Sequence, residues 1–203
     1  MKTRALLAIP LTLLILSSGA QAQQWYAAMS YGMSTPVSDT KDFTRGTSWR
    51  NFGVDLVAIV NPNTTVGVSF AWNVFNEVTE TVSSIDGIEI AGTQFRYINS
   101  LPMLVTVREY FGTPGGARPF IGVGVGPHLV KQRVDVGLWT VSENTWHLGV
   151  APEVGLLMPV GPTVSWFADV KYNYAASAGD PGRKHSYFAF NIGFAWEVGG
   201  NSL

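Results

Sequence analysis

The chain of 203 residues predicts an all-β fold, an eight-stranded antiparallel transmembrane β-barrel, and three observations point to it. Large apolar residues alternate with small or polar ones through eight stretches of about ten residues. That is longer than the ~5–6 residues of an ordinary strand and matches the ~9–11 of a tilted strand crossing a bilayer. The connections between these stretches alternate long and short. Charged residues make up 13% and aromatics 12% of the chain, where an ordinary soluble domain carries about 25% charge.

Ahead of the first stretch lie residues 1–22, with Lys2 and Arg4, an apolar run over 5–16, and Ala20-Gln21-Ala22 at the end. Charged, apolar and small-residue segments in that order read as a cleavable signal peptide, and the apolar run is too short for a spanning helix of ~20 residues. The expected organisation is therefore a signal peptide, 1–22, and one barrel domain, 23–203. Loss of Lys2 and Arg4 takes the net charge from −1 to −3. No basic stripe is present, which argues against nucleic acid as a partner. There is no cysteine, although export to an oxidising compartment would permit disulfides, so stability must come from the sheet. No later apolar run reaches the ~18 residues of a helical span. A bacterial outer membrane is the compartment that accepts such a chain.

The eight stretches follow in order. Residues 25–33 set Trp25, Ala27, Met29, Tyr31 and Met33 on one face. Residues 49–60 set Phe52, Val54, Leu56, Ala58 and Val60 against Gly53, Asp55, Val57 and Ile59; Asn61-Pro62-Asn63-Thr64 then has the chemistry of a tight turn. Residues 65–75 place Val66, Val68, Phe70, Trp72 and Val74 outward. Residues 93–110 carry Phe95, Tyr97, Leu101, Met103, Val105 and Val107 outward and Gln94, Arg96, Ser100, Thr106 and Arg108 inward, with a bulge expected at Pro102 because proline cannot donate to the ladder. After a glycine-rich turn at 112–118, residues 119–130 set Ile121, Val123, Val125 and Leu129 against Gly122, Gly124, Gly126 and His128. Residues 145–157 put Trp146, Leu148, Val150, Val154 and Leu156 outside and His147, Gly149, Glu153 and Gly155 inside. Residues 163–174 put Val164, Trp166, Ala168, Val170, Tyr172 and Tyr174 outside and Ser165, Asp169, Lys171 and Asn173 inside. Residues 185–196 close the set, with Phe188, Phe190, Ile192, Phe194 and Trp196 opposite Tyr187, Ala189, Asn191, Gly193 and Ala195.

Residues 35–48, 76–92, 131–144 and 175–185 are then expected as surface loops, the second with room to extend as a hairpin beyond the membrane, and with short turns at the other end. That is the arrangement of antiparallel outer-membrane barrels. An even strand number returns the chain to the side where it began, and closure of the sheet removes edges that would otherwise aggregate. Trp25, Tyr31, Trp49, Tyr97, Tyr110, Phe111, Trp146, Tyr174 and Trp196 fall near stretch ends, where interfacial girdles lie.

Residues 97–126, YINSLPMLVTVREYFGTPGGARPFIGVGVG, combine a strand ending Arg-x-Tyr-Phe with a following Pro-Phe-x-Gly-x-Gly-x-Gly. This pattern, together with the opening Trp25-Tyr26, resembles the small outer-membrane β-barrel domain family, which includes OmpA-, OmpX- and OmpW-like barrels and the opacity-type (porin family) surface proteins. The resemblance implies a monomeric barrel in a Gram-negative cell envelope, surrounded by outer-membrane lipid and lipopolysaccharide and inserted by the barrel-assembly machinery. It implies little about activity, because one fold hosts many functions. The chain departs from the family at its last strand, since residues 197–203 follow Trp196 where such barrels finish on a terminal aromatic. OmpA-like cell-wall tethering is not expected.

The inward face collects Asp55, Arg96, Arg108, Glu153, Asp169 and Lys171, three acids and three bases. The interior of an eight-stranded barrel is just wide enough for side chains to fill it, and buried charges must pair or lose several kcal/mol each to desolvation. The expected role of these six is a polar network that plugs the lumen; the sharper alternative is a gated ion path. His128, His147 and His185 together with several serines invite a lipid-hydrolase reading, but His185 and Ser186 are strand neighbours that point to opposite faces. No catalytic residue, cofactor site or metal site is expected: three scattered histidines give no zinc spacing. The Gly122, Gly124 and Gly126 run precedes no helix, as a dinucleotide loop must, and is expected to make room for Arg108 and Phe120. The favoured function is a non-enzymatic structural or surface-interaction protein whose loops meet an extracellular ligand. A narrow channel for small or apolar solutes, as in OmpW-like proteins, is the alternative, with a lipid-modifying enzyme behind it. A soluble lipocalin-like barrel would need a polar outer face.

Overall fold

A computed structural model describes residues 24–85, 88–178 and 183–198. The signal-peptide reading of residues 1–22 lies outside them. Eight strands are present: β1 (Trp25–Val37), β2 (Ser48–Asn61), β3 (Thr64–Ile85), β4 (Ile88–Tyr110), β5 (Arg118–Val136), β6 (Trp139–Pro159), β7 (Val164–Ala178) and β8 (Arg183–Val198). Each pairs antiparallel with the next, and β1 pairs with β8 from Trp25↔Val198 to Val37↔Ser186, so the sheet closes into a barrel.

Alternation fixes which side chains enter. Phe70, Trp72, Val105, Ile121, Val154 and Ile192 stand on the outer face, each more than half exposed. Asn73, Ser100, Thr106, Asn173 and Asn191 are buried inside. An inside-out pattern of this kind is stable only where the outer face meets an apolar phase, since large exposed apolar patches mark a membrane or partner surface.

Several expectations require correction. Residues 131–144 are not a loop: β5 and β6 continue as a hairpin through the pairs Lys131↔Asn144 to Val136↔Trp139, turning at Gly137 with φ 56°. The hairpin was hidden because its alternation is short: Val134 and Val136, paired with Val141 and Trp139, make one face between the polar Lys131-Gln132 and Glu143-Asn144. The connection over 76–92, by contrast, does extend as a hairpin, with β3 running to Ile85 and β4 starting at Ile88; Asp86 and Gly87 lie outside the described residues. In 35–48, β1 continues to Val37 and a helix α1 (Ser38–Phe43) follows. Six residues are too few for a helix stable on its own, and α1 is held instead by tertiary contacts: Phe43 packs on the buried Phe75, Ile98, Val130, Tyr187 and Ala189, and the buried Thr40 accepts a hydrogen bond from the Ser186 amide at 2.8 Å. Of 175–185, residues 179–182 lie outside the described residues, and the flanks are strand.

No bulge forms at Pro102. Pairing of β3 with β4 breaks between Phe70↔Met103 and Asn73↔Ser100, yet the register is the same on both sides. The missing N–H interrupts the ladder without an inserted residue. Tyr110 is not part of an outer girdle; it is buried in the lumen, 5.2 Å from the Phe120 ring. Trp49, Tyr31 and Trp146 do stand outside, and the Tyr31 hydroxyl donates to the Trp49 carbonyl.

The barrel thus has a short-turn end, with turns after β2, β4 and β6 and the ends of β1 and β8, and a long-hairpin end, where α1 folds inward and the β5–β6 hairpin projects. Leu138 and Trp139 at that hairpin's tip are almost fully exposed.

Candidate functional site in the barrel lumen

The inward residues of β8, read from the short-turn end as Ala195, Gly193, Asn191, Ala189, Tyr187 and His185, mark the layers of the interior in order. The first layer is a cavity of about 180 Å³ among Tyr26, Tyr110, Phe120, Leu157, Phe167 and Ala195.

The charged layer comes next. Arg108 Nη2 donates to Asp55 Oδ2 at 2.5 Å and its Nε to Glu153 Oε1 at 2.6 Å. Lys171 Nζ stands 3.3 Å from Glu153 Oε2 and 4.0 Å from Asp55 Oδ2. Two cations face two carboxylates, the pairing that burial demands, with a third buried carboxylate, Asp169, in electrostatic range of Lys171. Backbone register builds it: Arg108, Gly122 and Glu153 are successive cross-strand partners on β4, β5 and β6, and Glu153 faces Lys171 on β7. Gly122 is required by this packing, because a Cβ there would lie 2.7 Å from Glu153 Oε1 and 2.9 Å from Arg108 Cγ. The room for Phe120 comes from elsewhere: its ring lies over Gly155, not Gly122.

Two further sequence-predicted residues lie apart. Asp169 accepts a 2.6 Å bond from Asn191 Nδ2, and Asn191 in turn accepts one of 2.6 Å from Asn51 Nδ2, so it meets the cluster's edge through amides. Arg96 is not in the network. It sits twelve residues before Arg108 on the same strand, roughly 40 Å at 3.4 Å per residue, where it donates to Gln94 at 3.2 Å and lies 5.6 Å from the Phe43 ring.

Above the charges, the Tyr187 hydroxyl is shared by Asn73 Nδ2 at 3.0 Å and Ser100 Oγ at 3.2 Å, and Ser34 Oγ donates to Asn73 at 2.8 Å. The Phe75 ring meets Tyr187 edge-on at 5.3 Å, which seals this level with apolar contacts. Sequence reasoning placed Tyr187 and Asn191 inside without recognising this network. The recurrence of inward asparagines at 51, 73, 173 and 191 was the available signal.

All three histidines gather at the next level. His128 is the cross-strand partner of His147, and the His147 and His185 rings lie 5.2 Å apart, edge to face. His147 Nδ1 donates to the Ala176 carbonyl at 2.7 Å, while His185 contacts Gln132 at 3.0 Å and Thr40 at 3.4 Å. Ser186 is not aimed at any of them; its hydroxyl donates to the Val37 carbonyl at 3.3 Å. Among the described residues no group of three or more His, Cys, Asp or Glu is placed to hold a metal ion.

Neither a family model nor a curated protein matches the chain. Solved structures do. A major outer membrane protein from Thermus thermophilus matches with TM-score 0.59 at 13% identity, over 88% of this chain and 100% of that one. Neisserial surface protein A matches with TM-score 0.53 at 14% identity, over 86% and 97%. The outer membrane protease OmpT from Escherichia coli matches with TM-score 0.51 at 8% identity, over 86% and 97%. The likeness is one of fold. A surface protein and a protease meet the same architecture equally well, so activity must be argued from the lumen itself.

Proposed function

We propose that the protein is a monomeric barrel of a bacterial outer membrane, with a sealed lumen and no catalytic activity, that acts as a structural and surface-interaction protein through its long-hairpin end. The observation carrying this reading is the filled interior. The Arg108–Asp55–Glu153–Lys171 cluster, the Tyr187–Phe75 layer and α1 occupy successive levels of one narrow tube. The export-type start, the apolar outer belt and the fold of the neighbours support the location, with lipid and lipopolysaccharide around the belt and insertion by the barrel-assembly machinery. The exposed Leu138 and Trp139 at the β5–β6 tip support a recognition role, since loops on a rigid scaffold are where binding commonly resides. Against catalysis stands the Ser186 hydroxyl, which donates to the Val37 carbonyl and does not meet a histidine.

The test is an outer-membrane fraction run unboiled and boiled, followed by planar-bilayer recording of the purified barrel. A heat-dependent mobility shift with no conductance is expected. A soluble periplasmic protein without the shift would remove the membrane reading. Steady conductance would favour the second reading, a narrow conduit, for which the 180 Å³ cavity at the short-turn end is the supporting observation.

A further inference from the structure

The cavity at the short-turn end has features that a plugged barrel does not need. Its walls are apolar and aromatic, with Ala28, Val57, Phe120, Leu157, Phe167 and Ala195 facing inward. Its floor is Arg108, whose charge is already met by Asp55 and Glu153. Arg118, the first residue of β5, also lines it, and this second guanidinium makes no ion pair within 4 Å among the described residues, although Glu197 and Arg118 both act electrostatically on Tyr26. Its Nη2 donates to the Pro62 carbonyl at 2.7 Å and to Asn63 Oδ1 at 3.0 Å, and its face lies 5.2 Å from the Tyr110 ring. Those partners are all neutral. Glu109, at the same end, accepts from Thr64 Oγ1 at 2.5 Å. Arg118 Nε and Thr65 Oγ1, both on cavity-lining residues, are buried and have no hydrogen-bond partner among the described groups.

From this geometry we infer that the short-turn end is a binding site for a small amphiphilic monoanion, its apolar body among the Phe120 and Phe167 rings and its carboxylate at Arg118. Size and charge set the class. A dry apolar cavity of about 150 Å³ accepts benzene, so 180 Å³ holds one aromatic ring or a short acyl chain and excludes a two-chain lipid. An arginine without an ion pair beside an apolar pocket selects a carboxylate over a neutral isostere, because charge-assisted hydrogen bonds are roughly twice as strong as neutral ones. The rim carries Pro114 and Gly115 from the turn after β4, so the ligand enters from the aqueous side of that end and stops at Arg108.

The probe is 4-fluorobenzoate, followed by fluorine NMR line broadening on the barrel in phosphatidylcholine nanodiscs, with 4-fluorobenzyl alcohol as the neutral comparison. The acid is expected to bind about tenfold more tightly than the alcohol, the worth of one hydrogen bond to a charged group. Arg118→Gln should bring the acid down to the alcohol's affinity. Ala195→Leu, which fills the cavity, should abolish both; Ala28→Leu does the same from the neighbouring strand, where Ala28 is the cross-strand partner of Ala195, if that variant does not fold. Absence of broadening with the folded wild type, equal affinity for acid and alcohol, or binding that survives the filling substitution would each overturn the assignment. An unboiled gel reports the folded barrel separately, so a folded barrel that does not bind counts against the cavity and leaves the proposed function standing.

Discussion

Replacing Arg108 by methionine keeps most of the side-chain volume and removes one charge from a cluster of two cations and two anions. Asp55 and Glu153 then lose partners at 2.5 and 2.6 Å and keep Lys171, at 4.0 and 3.3 Å, as their one remaining cation, with Ser69 still bonded to Asp55. Removing one partner of a buried ion pair costs about 3–5 kcal/mol, because the remaining charge stays buried. Lys171 offsets part of that, so Arg108→Met is expected to lose about 3 kcal/mol. The charge argument makes a second, sharper demand. Adding Asp55→Asn to Arg108→Met leaves Lys171 and Glu153 as a one-to-one pair at 3.3 Å, so the double variant should recover to within about 1–1.5 kcal/mol of wild type, although neutralising Asp55 alone is destabilising. The assay is denaturant unfolding of the refolded barrel in phospholipid, followed by tryptophan fluorescence. If Arg108→Met unfolds within about 1 kcal/mol of wild type, or if Asp55→Asn deepens its loss, the cluster is not held by charge balance and the reasoning fails.

Three further outcomes follow from other layers. Gly155→Val drives a side chain into the Phe120 ring; overpacking of this kind costs about 1–3 kcal/mol, so the unfolding midpoint should fall, and an unchanged midpoint would count against the observed packing. Tyr187→Phe leaves Asn73 Nδ2 and Ser100 Oγ without their shared hydroxyl, a loss of about 1–3 kcal/mol for a buried unsatisfied group. A neutral result in the same assay would show that the hydroxyl is not the centre of that layer. In the β5–β6 hairpin beyond the apolar belt, the bond from Arg133 at 2.9 Å, followed by that from Thr140 at 2.7 Å, holds the Asp135 carboxyl below its ordinary value of 3.8. A depressed folded value means the contact is present above about 4 and is lost as pH falls through the folded value. Amide protection at the hairpin tip, measured by NMR from about pH 7 to about pH 3, should therefore fall on acidification; a rise would contradict the assignment.

Strand identity and facing were legible because two different surroundings meet the two faces of each strand, and period two records both. Where the apolar face thins, the record weakens: beyond Val130 the alternation survives only as Val134 and Val136 paired with Val141 and Trp139, flanked by polar residues, and α1 is too short to show a period. Of the lumen charges, facing could be read from parity but height could not. Arg96 and Arg108 have the same parity on β4 and stand at opposite ends of the tube, since which charges meet depends on stagger around eight strands. Tyr110 illustrates the same limit from the other side: its place near a strand end pointed to the girdle, whereas its parity with Arg108 put it inside.

Closure joins Trp25 to Val198 and Val37 to Ser186, positions separated by nearly the whole chain, and this imposes an order of events. Nearest-neighbour hairpins can form locally, but the β1–β8 seam carries the largest loop-closure entropy and contributes most to slow folding. Much of the interior waits on that seam: Asn51 needs Asn191, Asn73 needs Tyr187, and Thr40 needs the Ser186 amide. Before the last strand docks, β1 and β8 are open templates and the lumen's amides are unmet. The nascent chain is therefore most vulnerable to misassembly just before completion, and a guide that holds β1 until β8 arrives would act at the step where the topology itself is slowest.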